Sequence, residues 1–449
     1  MSGLAVSERK SRKSWRKREI SGSIKLMQTF LHKLKVIFTE PAIRNRVLFV
    51  LGALVIFRAL ASIPIPGVDQ VVLEQFFSNN QFLGLLNIFS GGGLANLSIV
   101  MLGVGPFITA SIIMQLLTVM TPKLKSLYTE EGEAGRAKFT QYSRMLTLPL
   151  AILQGFGFLT LLQSQGVISG LTTFDFVVNV ILVVAGSVLL MWIGELVTEY
   201  GIGNGVSILI FAGIVAGLPA TASQLLLNYD PSQLPLYVGF AIVAIGIIYA
   251  VVVMTEAERP VPITYAKQSR GGSTYGSSQS YLPMRLNQAG VIPIIFALSI
   301  ILFPQMVLNI LSAFDLPWVA QANEVVTGFL NNQWAYGGTY FTLVFLFTFF
   351  YTAVTFDPDA VSKNLQRSGG FIPGIRPGGH TSEYLGNLVT RLTLVGALFL
   401  GVVAVLPVGM QIATGVTALA IGGTAVLIVV SVVLDLIRRL DAQVSMREY

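Results

Sequence analysis

Few side chains in this sequence are suited to covalent chemistry. The 449 residues include no cysteine and only two histidines, His32 and His380. Thiolate nucleophiles, cysteine-based zinc sites and histidine-rich metal centres are therefore excluded. The sequence also has no G-x-x-x-x-G-K-[ST] loop to bind nucleotide phosphates. We expect no catalytic residue, no metal site and no cofactor, and we predict that the chain is not an enzyme.

The elements that must position any functional side chain are apolar helices. Hydrophobic residues make up 53% of the chain and charged residues 11%, and the mean hydropathy is +0.71, values typical of a polytopic membrane protein. A window of about 19 residues gives ten candidate spans. They cover 47–63, 97–120, 143–163, 174–197, 205–221, 234–254, 288–311, 338–356, 388–407 and 416–437.

The distribution of positive charge supports this count. All but two of the 29 Lys and Arg residues fall in the N-terminal segment, in three connections and in the C-terminal tail. The three connections are 121–145, 256–287 and 357–387. Cytoplasmic connections carry the excess of Lys and Arg. Ten spans with both termini in the cytoplasm place every charged connection on the cytoplasmic side, and only the very short 198–204 turn is a cytoplasmic connection without a cation.

The N-terminal segment, residues 1–46, contains the basic run SRKSWRKRE at 11–19. Apolar residues at helical spacing follow it, at Ile24, Met27, Phe30, Leu31 and Leu34. This pattern predicts an amphipathic helix on anionic lipid; a solvated positive tail is the alternative. The remaining predicted regions are an N-terminal half at 47–230, a C-terminal half at 231–437 and a cytoplasmic tail at 438–449.

A short segment occurs twice, as GVGPFI at 103–108 and as GVIPII at 290–295. Each copy lies in the second span of its half. Because five spans make up each half, the second half must cross the membrane inverted relative to the first, and inverted repeats usually enclose a central pathway. A chance match remains an alternative, since Gly and Pro are common in membrane helices.

Two further glycine-rich stretches interrupt the apolar pattern. Residues 87–98, NIFSGGGLANLS, line a pathway if they enter the bilayer, because irregular backbone at that depth needs buried partners; an ordinary outside loop is the alternative. The stretch YGIGNGVS at 200–207 includes Val206, which is four residues from Ile210, the same spacing as between Val104 and Ile108. Such pairs lie on one helical face and suit an apolar constriction that excludes water, although ordinary helix packing has the same spacing.

Several long motifs, in order, resemble the SecY family, the channel subunits of the bacterial Sec protein translocase. The resemblance covers about residues 40–440. It is carried by FSGGGL from residue 89, GPFITASIIMQLLT from 105, EGEAGR from 131, GIGNGVSILIFAGIVAGLP from 201, YAK from 265, AGVIP from 289, IILFP from 300, FIPGIRPG from 371 and TRLTLVGAL from 390.

The resemblance implies an all-α fold of ten transmembrane helices, in two inverted five-helix halves around an hourglass pore. It implies a pore ring of apolar side chains at the waist, where two valines replace the more common isoleucine: Val104, Ile108, Val206, Ile210, Ile295 and Ile428. It implies a plug near 87–96, formed by Asn87, Phe89, Ser90, Gly91, Gly92, Gly93 and Leu94. Polar residues of the second span would lie at a lateral gate toward lipid, at Thr109, Ser111 and Gln115. They could hydrogen-bond across the closed gate, and ordinary helix packing is the alternative for each. Pro106 and Pro293 are expected to bend or interrupt the two gate-side helices.

The resemblance also implies the function and the partners. We expect a channel in the bacterial inner membrane that passes unfolded secretory polypeptides and releases apolar segments sideways into lipid. Expected partners are the SecE and SecG subunits, the SecA motor ATPase, the ribosome, the polypeptide substrates and anionic lipid. Arg376, Lys267 and Arg270 are the partner-binding candidates in the cytoplasmic loops.

An ion-coupled secondary transporter is the alternative class, because it also uses inverted repeats and interrupted helices. Such transporters place ionisable or polar ligands near the midplane of the membrane. Here Glu195, Asp435, Arg58 and Arg391 lie toward the ends of the predicted spans, which disfavours coupled transport.

Overall fold

The computed structural model describes most of the chain. The described residues are 39–68, 73, 90, 92–94, 96–129, 131–164, 166–168, 172–227, 234–265, 269–270, 273–274, 279–312, 317–414 and 422–445. The predicted amphipathic helix of the N-terminal segment lies outside them.

The described chain is mostly helical. Its helices are α1 Pro41–Ala61, α2 Gly105–Met120, α3 Pro122–Thr129, α4 Gly132–Ser164, α5 Thr173–Tyr200, α6 Gly205–Leu227, α7 Leu234–Glu256, α8 Ile292–Ser312, α9 Pro317–Asn331, α10 Gln333–Thr355, α11 Pro358–Arg367, α12 Gly379–Thr414 and α13 Gly422–Ser445. Each of the ten predicted spans overlaps one of these helices.

Four segments of the described chain are long and apolar enough to cross a membrane. They are Gly132–Gln163, Thr173–Tyr200, Gln333–Arg367 and Gly379–Met410. The number of such segments rises to five if the helices Gly105–Thr118 and Pro122–Tyr128, which are bent by 114° relative to each other, count as one span. Shorter apolar helices include Gly205–Gly217, Ala241–Glu256 and Ile292–Gln305.

Several helices extend beyond the predicted spans. Helix α4 has 33 residues and begins at Gly132, not near 143; at 1.5 Å per residue it is about 50 Å long, longer than the apolar core of a bilayer. Helix α1 begins inside the predicted N-terminal segment because Pro41 is favoured in the first turn of a helix. Helix α13 continues through the predicted start of the C-terminal tail to Ser445.

The two long charged loops form a small antiparallel sheet, and the all-α prediction is wrong here. Strands β1 Glu258–Tyr265, β4 Gln279–Arg285 and β5 Gly370–Phe371 pair in the order β4-β1-β5. Strands β2 Ser269–Arg270 and β3 Ser273–Thr274 form a separate two-stranded pair. Along β1, Val261 and Ile263 are buried while Pro260 and Pro262 are exposed. This period-two alternation buries one face of the strand.

Apolar clusters join the helices of the chain. One cluster connects α1, α5, α6 and α13 with the turn before α2. A second joins α7, α8, α10, α12 and α13. Helix α8 also contacts α4, so a helix of the C-terminal half packs directly on one of the N-terminal half.

Candidate functional site

The repeated Gly-Val-x-Pro-x-Ile segments have the same local structure. Gly103 and Gly290 have positive φ angles of 58° and 62°, a conformation that glycine adopts without steric cost. In each copy the helix begins two residues later, and the proline is its second residue. Pro106 and Pro293 therefore lie in the first turn, where no intrahelical N–H bond is lost. They start the two helices and do not bend them in the middle.

A buried polar side chain holds the carbonyl of each of these glycines. The Ser187 hydroxyl of α5 donates to the Gly103 carbonyl oxygen at 2.9 Å. The Asn287 side-chain amide donates to the Gly290 carbonyl oxygen at 3.3 Å. Because an unpaired buried carbonyl is costly, the Ser187 bond stabilises the turn at the buried Gly103 from which α2 begins. The Asn287 bond joins the matching turn at the half-buried Gly290, from which α8 begins.

The glycine-rich turn at 201–205 brings α5 and α6 into close contact. The Thr198 hydroxyl donates to the Gly194 carbonyl oxygen at 2.8 Å and accepts from the Gly205 amide at 2.8 Å. A Cβ atom on Gly205 would lie only 1.9 Å from the Gly194 carbonyl oxygen. The absence of a side chain at Gly205 therefore allows the first turn of α6 to pack on α5.

The structure brings all six proposed pore-ring residues into one apolar cluster. Val104, Ile210 and Ile428 are buried in it, with 2–3% of each residue exposed. The partly buried residues packed against it include Ile108, Val206 and Ile295. We call these six residues the waist cluster; they come from α2, α6, α8, α13 and the turn before α2.

Two acidic residues of the predicted spans, Glu195 and Asp435, form ion pairs. Glu195 accepts from Arg144 at 2.6 Å, and Asp435 accepts from Arg439 one helical turn away at 2.8 Å. Arg391 is exposed on α12. Arg58 is in the last turn of α1. Its guanidinium lies beside Gly92, whose added Cβ would be 3.4 Å from Arg58 Nη1.

The described part of the proposed plug consists of turns that are mostly buried, with Asn96 exposed. Ser90 and Leu94 are buried, and the Leu94 amide donates to the Ser90 hydroxyl at 3.0 Å. Asn87, Phe89 and Gly91 lie outside the described residues. Gly92 has φ of 81°, and a Cβ on Gly93 would lie 2.8 Å from the Ser98 hydroxyl oxygen. Leu94 packs in a cluster with Leu97 and Met101, next to Val100 of the larger cluster around the waist.

The proposed lateral-gate residues are half-buried on α2. The Thr109 hydroxyl donates to the Gly105 carbonyl oxygen of its own helix at 3.0 Å. The backbone carbonyl of Gln115 accepts from the Thr118 hydroxyl at 2.6 Å. The described bond of Thr109 thus stays within its helix and does not cross to a neighbour, and Ser111 lies half-buried between these two residues.

The proposed partner-binding residues lie in the charged loops. Arg376 is exposed in the segment between β5 and α12. The backbone of Arg270 belongs to β2, and Lys267 lies outside the described residues. Among the described residues, no group of three or more His, Cys, Asp and Glu side chains is arranged to hold a metal ion.

Sequence reasoning missed the hydroxyl and amide groups that support the site. Ser187, Thr198 and Asn287 were not predicted as functional. A lone Ser or Thr in an apolar span is a weak signal, because most such hydroxyls bond the carbonyl four residues earlier in the same helix, as Thr109 does. Only the three-dimensional packing shows which hydroxyl reaches another segment.

The apolar spans, joined by an apolar cluster to which segments of both halves contribute, define a multi-pass membrane protein. A sequence model of the SecY family matches residues 98–437. The chain belongs to the SecY family.

Known relatives support this assignment. The protein translocase subunit SecY of Mycobacterium bovis is 39% identical over 444 residues, which cover 94% of this chain and 99% of that protein. A solved structure of a SecY translocation channel, whose plug domain stabilises the closed state, matches with a TM-score of 0.62 and 19% identity. That match covers 90% of this chain and 93% of the other. Sec61 from a canine ribosome–channel complex matches with a TM-score of 0.59 and 18% identity over the same fractions of the two chains.

Membership of this family confirms the predicted function class. The chain is a channel subunit of a protein translocase and not an enzyme, and it is a multi-pass membrane protein.

Proposed function

We propose that unfolded polypeptides cross the membrane through the waist cluster. The observation that carries this proposal is the convergence of Val104, Ile108, Val206, Ile210, Ile295 and Ile428, distant in sequence, in one apolar cluster. An apolar constriction excludes water and ions by dewetting. It also offers no fixed charge or hydrogen-bonding group to retain a passing chain, so polypeptides of any sequence can cross it.

The proposed architecture has ten spans in two inverted halves, 47–230 and 231–437, around an hourglass pore. The matching turns at Gly103 and Gly290 support this arrangement, because each begins the second span of its half. The basic N-terminal segment 1–46 and the tail 438–449 would both be cytoplasmic, in a bacterial inner membrane. The distribution of Lys and Arg among the connections supports this orientation.

The glycine-rich stretch 87–96 is proposed as the plug on the outer side of the waist. Of its described residues, Ser90, Gly93 and Leu94 are buried and Asn96 is exposed. The Gly93 amide donates to the Ser90 carbonyl oxygen at 3.4 Å, and the Asn96 side chain donates to the Ala61 carbonyl oxygen at the end of α1 at 3.4 Å. Because the described residues of this stretch form turns and no helix, we propose that it can leave its place without unwinding a transmembrane helix. Displacement of the plug would open the outer half of the pathway.

Lateral release would occur between the second and third spans on one side and the seventh and eighth on the other. Helix α8 packs on α4 of the opposite half, which supports a closed seam at this place. A sufficiently apolar segment would partition into lipid there, because a central Lys or Asp costs roughly 2.5–3.5 kcal/mol on insertion scales. Thr109, Ser111 and Gln115 are proposed to line the seam.

The partners are proposed to be SecE and SecG in the membrane, and SecA or the ribosome at the cytoplasmic loops. The exposed Arg376, together with Arg270 and Lys267, would contact them. The positive charge of the loops suits ribosomal RNA phosphates, and that of the N-terminal segment suits anionic lipid.

The absence of native cysteine allows a direct test of the pathway. A single cysteine at Ile295 is tested for disulfide formation with a cysteine in a translocation-arrested secretory chain. The assay uses the channel together with its translocase partners, and a cysteine at the exposed Ile300 of the same helix is the control. The pathway is supported if the cysteine at Ile295 forms a cross-link whose yield depends on where the cysteine lies in the substrate. Equal cross-linking yields at Ile295 and Ile300 would overturn it. The absence of a cross-link at Ile295, and at cysteines placed in the same way at Ile108 and Ile428, would overturn it as well.

A further inference from the structure

Helix α9 connects two apolar helices and packs against both. It runs from Pro317 to Asn331 and contacts α8 before it and α10 after it. The Asn332 side chain caps α10, where it accepts from the Trp334 and Ala335 amides at 3.2 Å. Since α10 begins a candidate span, α9 lies at the level where that span leaves the membrane.

Three stripes run along α9. The stripe that faces the protein contains Val319, Val326 and Leu330; Val319 is buried and Leu330 packs on the cluster of the C-terminal half. A polar stripe contains Gln321, Glu324 and Thr327.

The third stripe of α9 is apolar and exposed. It contains Trp318, Val325 and Phe329, which are 53%, 73% and 36% exposed. These residues are seven and then four positions apart, so they lie on one face of the helix. Each directly precedes a member of the protein-facing stripe, so the exposed apolar stripe lies beside the surface where α9 meets the protein.

The surroundings of this stripe favour lipid over a charged partner. Helix α9 contains no Lys or Arg and one acidic residue, Glu324. Five residues after Phe329, Trp334 is 77% exposed at the start of α10, and Leu346 further along α10 is 56% exposed. The candidate span that follows α9 therefore also exposes large apolar side chains. Tryptophan is enriched where acyl chains meet head groups, because its ring has both an apolar body and a polar N–H.

We propose that α9 is an interfacial membrane helix, with Trp318, Val325 and Phe329 inserted among phospholipid acyl chains just below the head groups. The binding rests on burial of apolar surface and needs no anionic lipid, because the helix has no cation. Its polar stripe stays in water. Since α9 directly links α8 to α10, this contact would fix the depth at which both helices end.

Two adjacent positions provide a matched test. Val325→Cys and Glu324→Cys are made separately in the full-length chain, which has no native cysteine, and each is labelled with bimane. The chain is reconstituted with its translocase partners in vesicles of phosphatidylethanolamine and phosphatidylglycerol. A fraction of the lipid carries a spin label near the head group. Phe329→Cys and Gln321→Cys repeat the comparison a turn away on the same stripes.

The proposal predicts opposite responses to two quenchers. The spin-labelled lipid should quench the label at 325 several-fold more strongly than the label at 324, and aqueous iodide should show the reverse order. The difference in quenching between positions 325 and 324 should persist in vesicles made entirely of neutral lipid. Equal quenching at the two positions, or stronger iodide quenching at 325, would overturn the proposal. Protection of position 325 from both quenchers would mean that a protein covers the stripe, and would overturn it as well.

Discussion

Gly103 and Gly290 have the same left-handed backbone, with φ of 58° and 62°, although they lie in opposite halves of the chain. Each is followed by a valine, one further residue and a proline. Each has its carbonyl held by a buried polar side chain, from Ser187 or Asn287. Two segments with the same turn chemistry therefore start the two helices that bring Ile108 and Ile295 to the waist cluster.

The first prediction concerns Gly290→Ala. A Cβ at Gly290 meets no atom within 4 Å, so the cost comes from the left-handed backbone alone, about 1–2 kcal/mol for a residue with a Cβ. Thermal unfolding in detergent should show a lower apparent Tm. Gly290→Asn should recover part of the loss, because asparagine tolerates this conformation better. Gly338→Ala is the control, since Gly338 lies in helix α10 with open space around it; an equal loss in both alanine variants would contradict the explanation.

The second prediction concerns Ser187→Ala. This change removes the donor at 2.9 Å from the buried Gly103 carbonyl oxygen, and an unsatisfied buried acceptor costs about 1–3 kcal/mol. The apparent Tm should fall, and the start of α2 should become more accessible to hydrogen exchange. Thr342→Ala is the matched control, because the exposed Thr342 hydroxyl bonds only the Gly338 carbonyl of its own helix. If the two variants are equally stable, the Ser187 bond does not hold the turn.

Only part of this site follows from local periodicity in the sequence. Val104 with Ile108 and Val206 with Ile210 have helical spacing, and the structure brings both pairs into one cluster. The sheet was missed because the partners of β1 lie in β4 and in the more distant β5. Its short, proline-containing strands give only a weak periodic signal within otherwise polar loops.

Other features depend on packing that no local pattern encodes. The Ser187 bond to Gly103 joins residues far apart in the sequence. Ile428, from the last helix, completes the waist cluster; only the family resemblance pointed to it. The predicted span placed the start of α4 near residue 143, although the helix begins at Gly132. The hydropathy window averages over the charged first turns of this helix, which are helical although they are not apolar.

The third prediction concerns the close contact between α5 and α6. In Gly205→Ala the added Cβ would lie 1.9 Å from the Gly194 carbonyl oxygen and 2.8 Å from the Val197 Cβ. One helix must shift, at a cost near the upper end of the roughly 1–3 kcal/mol typical of overpacking. We expect a large fall in apparent Tm and in the yield of folded protein. Gly217→Ala in the same helix has open space and should be neutral or stabilising; similar losses at both sites would disprove the steric account.

The fourth prediction concerns Arg376→Glu. The loop that holds Arg376 is fixed through its backbone: the Thr381 hydroxyl donates to the Arg376 carbonyl oxygen at 3.0 Å, and the Ser362 hydroxyl donates to the Gly378 carbonyl oxygen at 2.7 Å. Charge reversal should leave this fold unchanged and lower export driven by the proposed motor partner in a vesicle assay. Lys363→Glu, at another exposed cation of the same loop region, should have a smaller effect. Normal export by the Arg376 variant, or equal losses in both variants, would exclude a specific role for Arg376.

The last prediction tests the seal formed by the waist cluster. Ile295→Asn places an amide among the hydrophobic side chains of this cluster, where water that was excluded by dewetting can be stabilised by hydrogen bonds. The resting channel in planar bilayers should then conduct ions more often, and substrates with weak signal sequences should be exported better, because less free energy is needed to open the constriction.

Ile295→Leu keeps the volume and the apolar character of the side chain, so it should leave conductance and signal stringency near those of the unmodified channel. An ion leak that rises equally in the two variants would point to general disorder of α8. Unchanged conductance and unchanged stringency in Ile295→Asn would mean that this cluster packs the helices together and does not form the barrier.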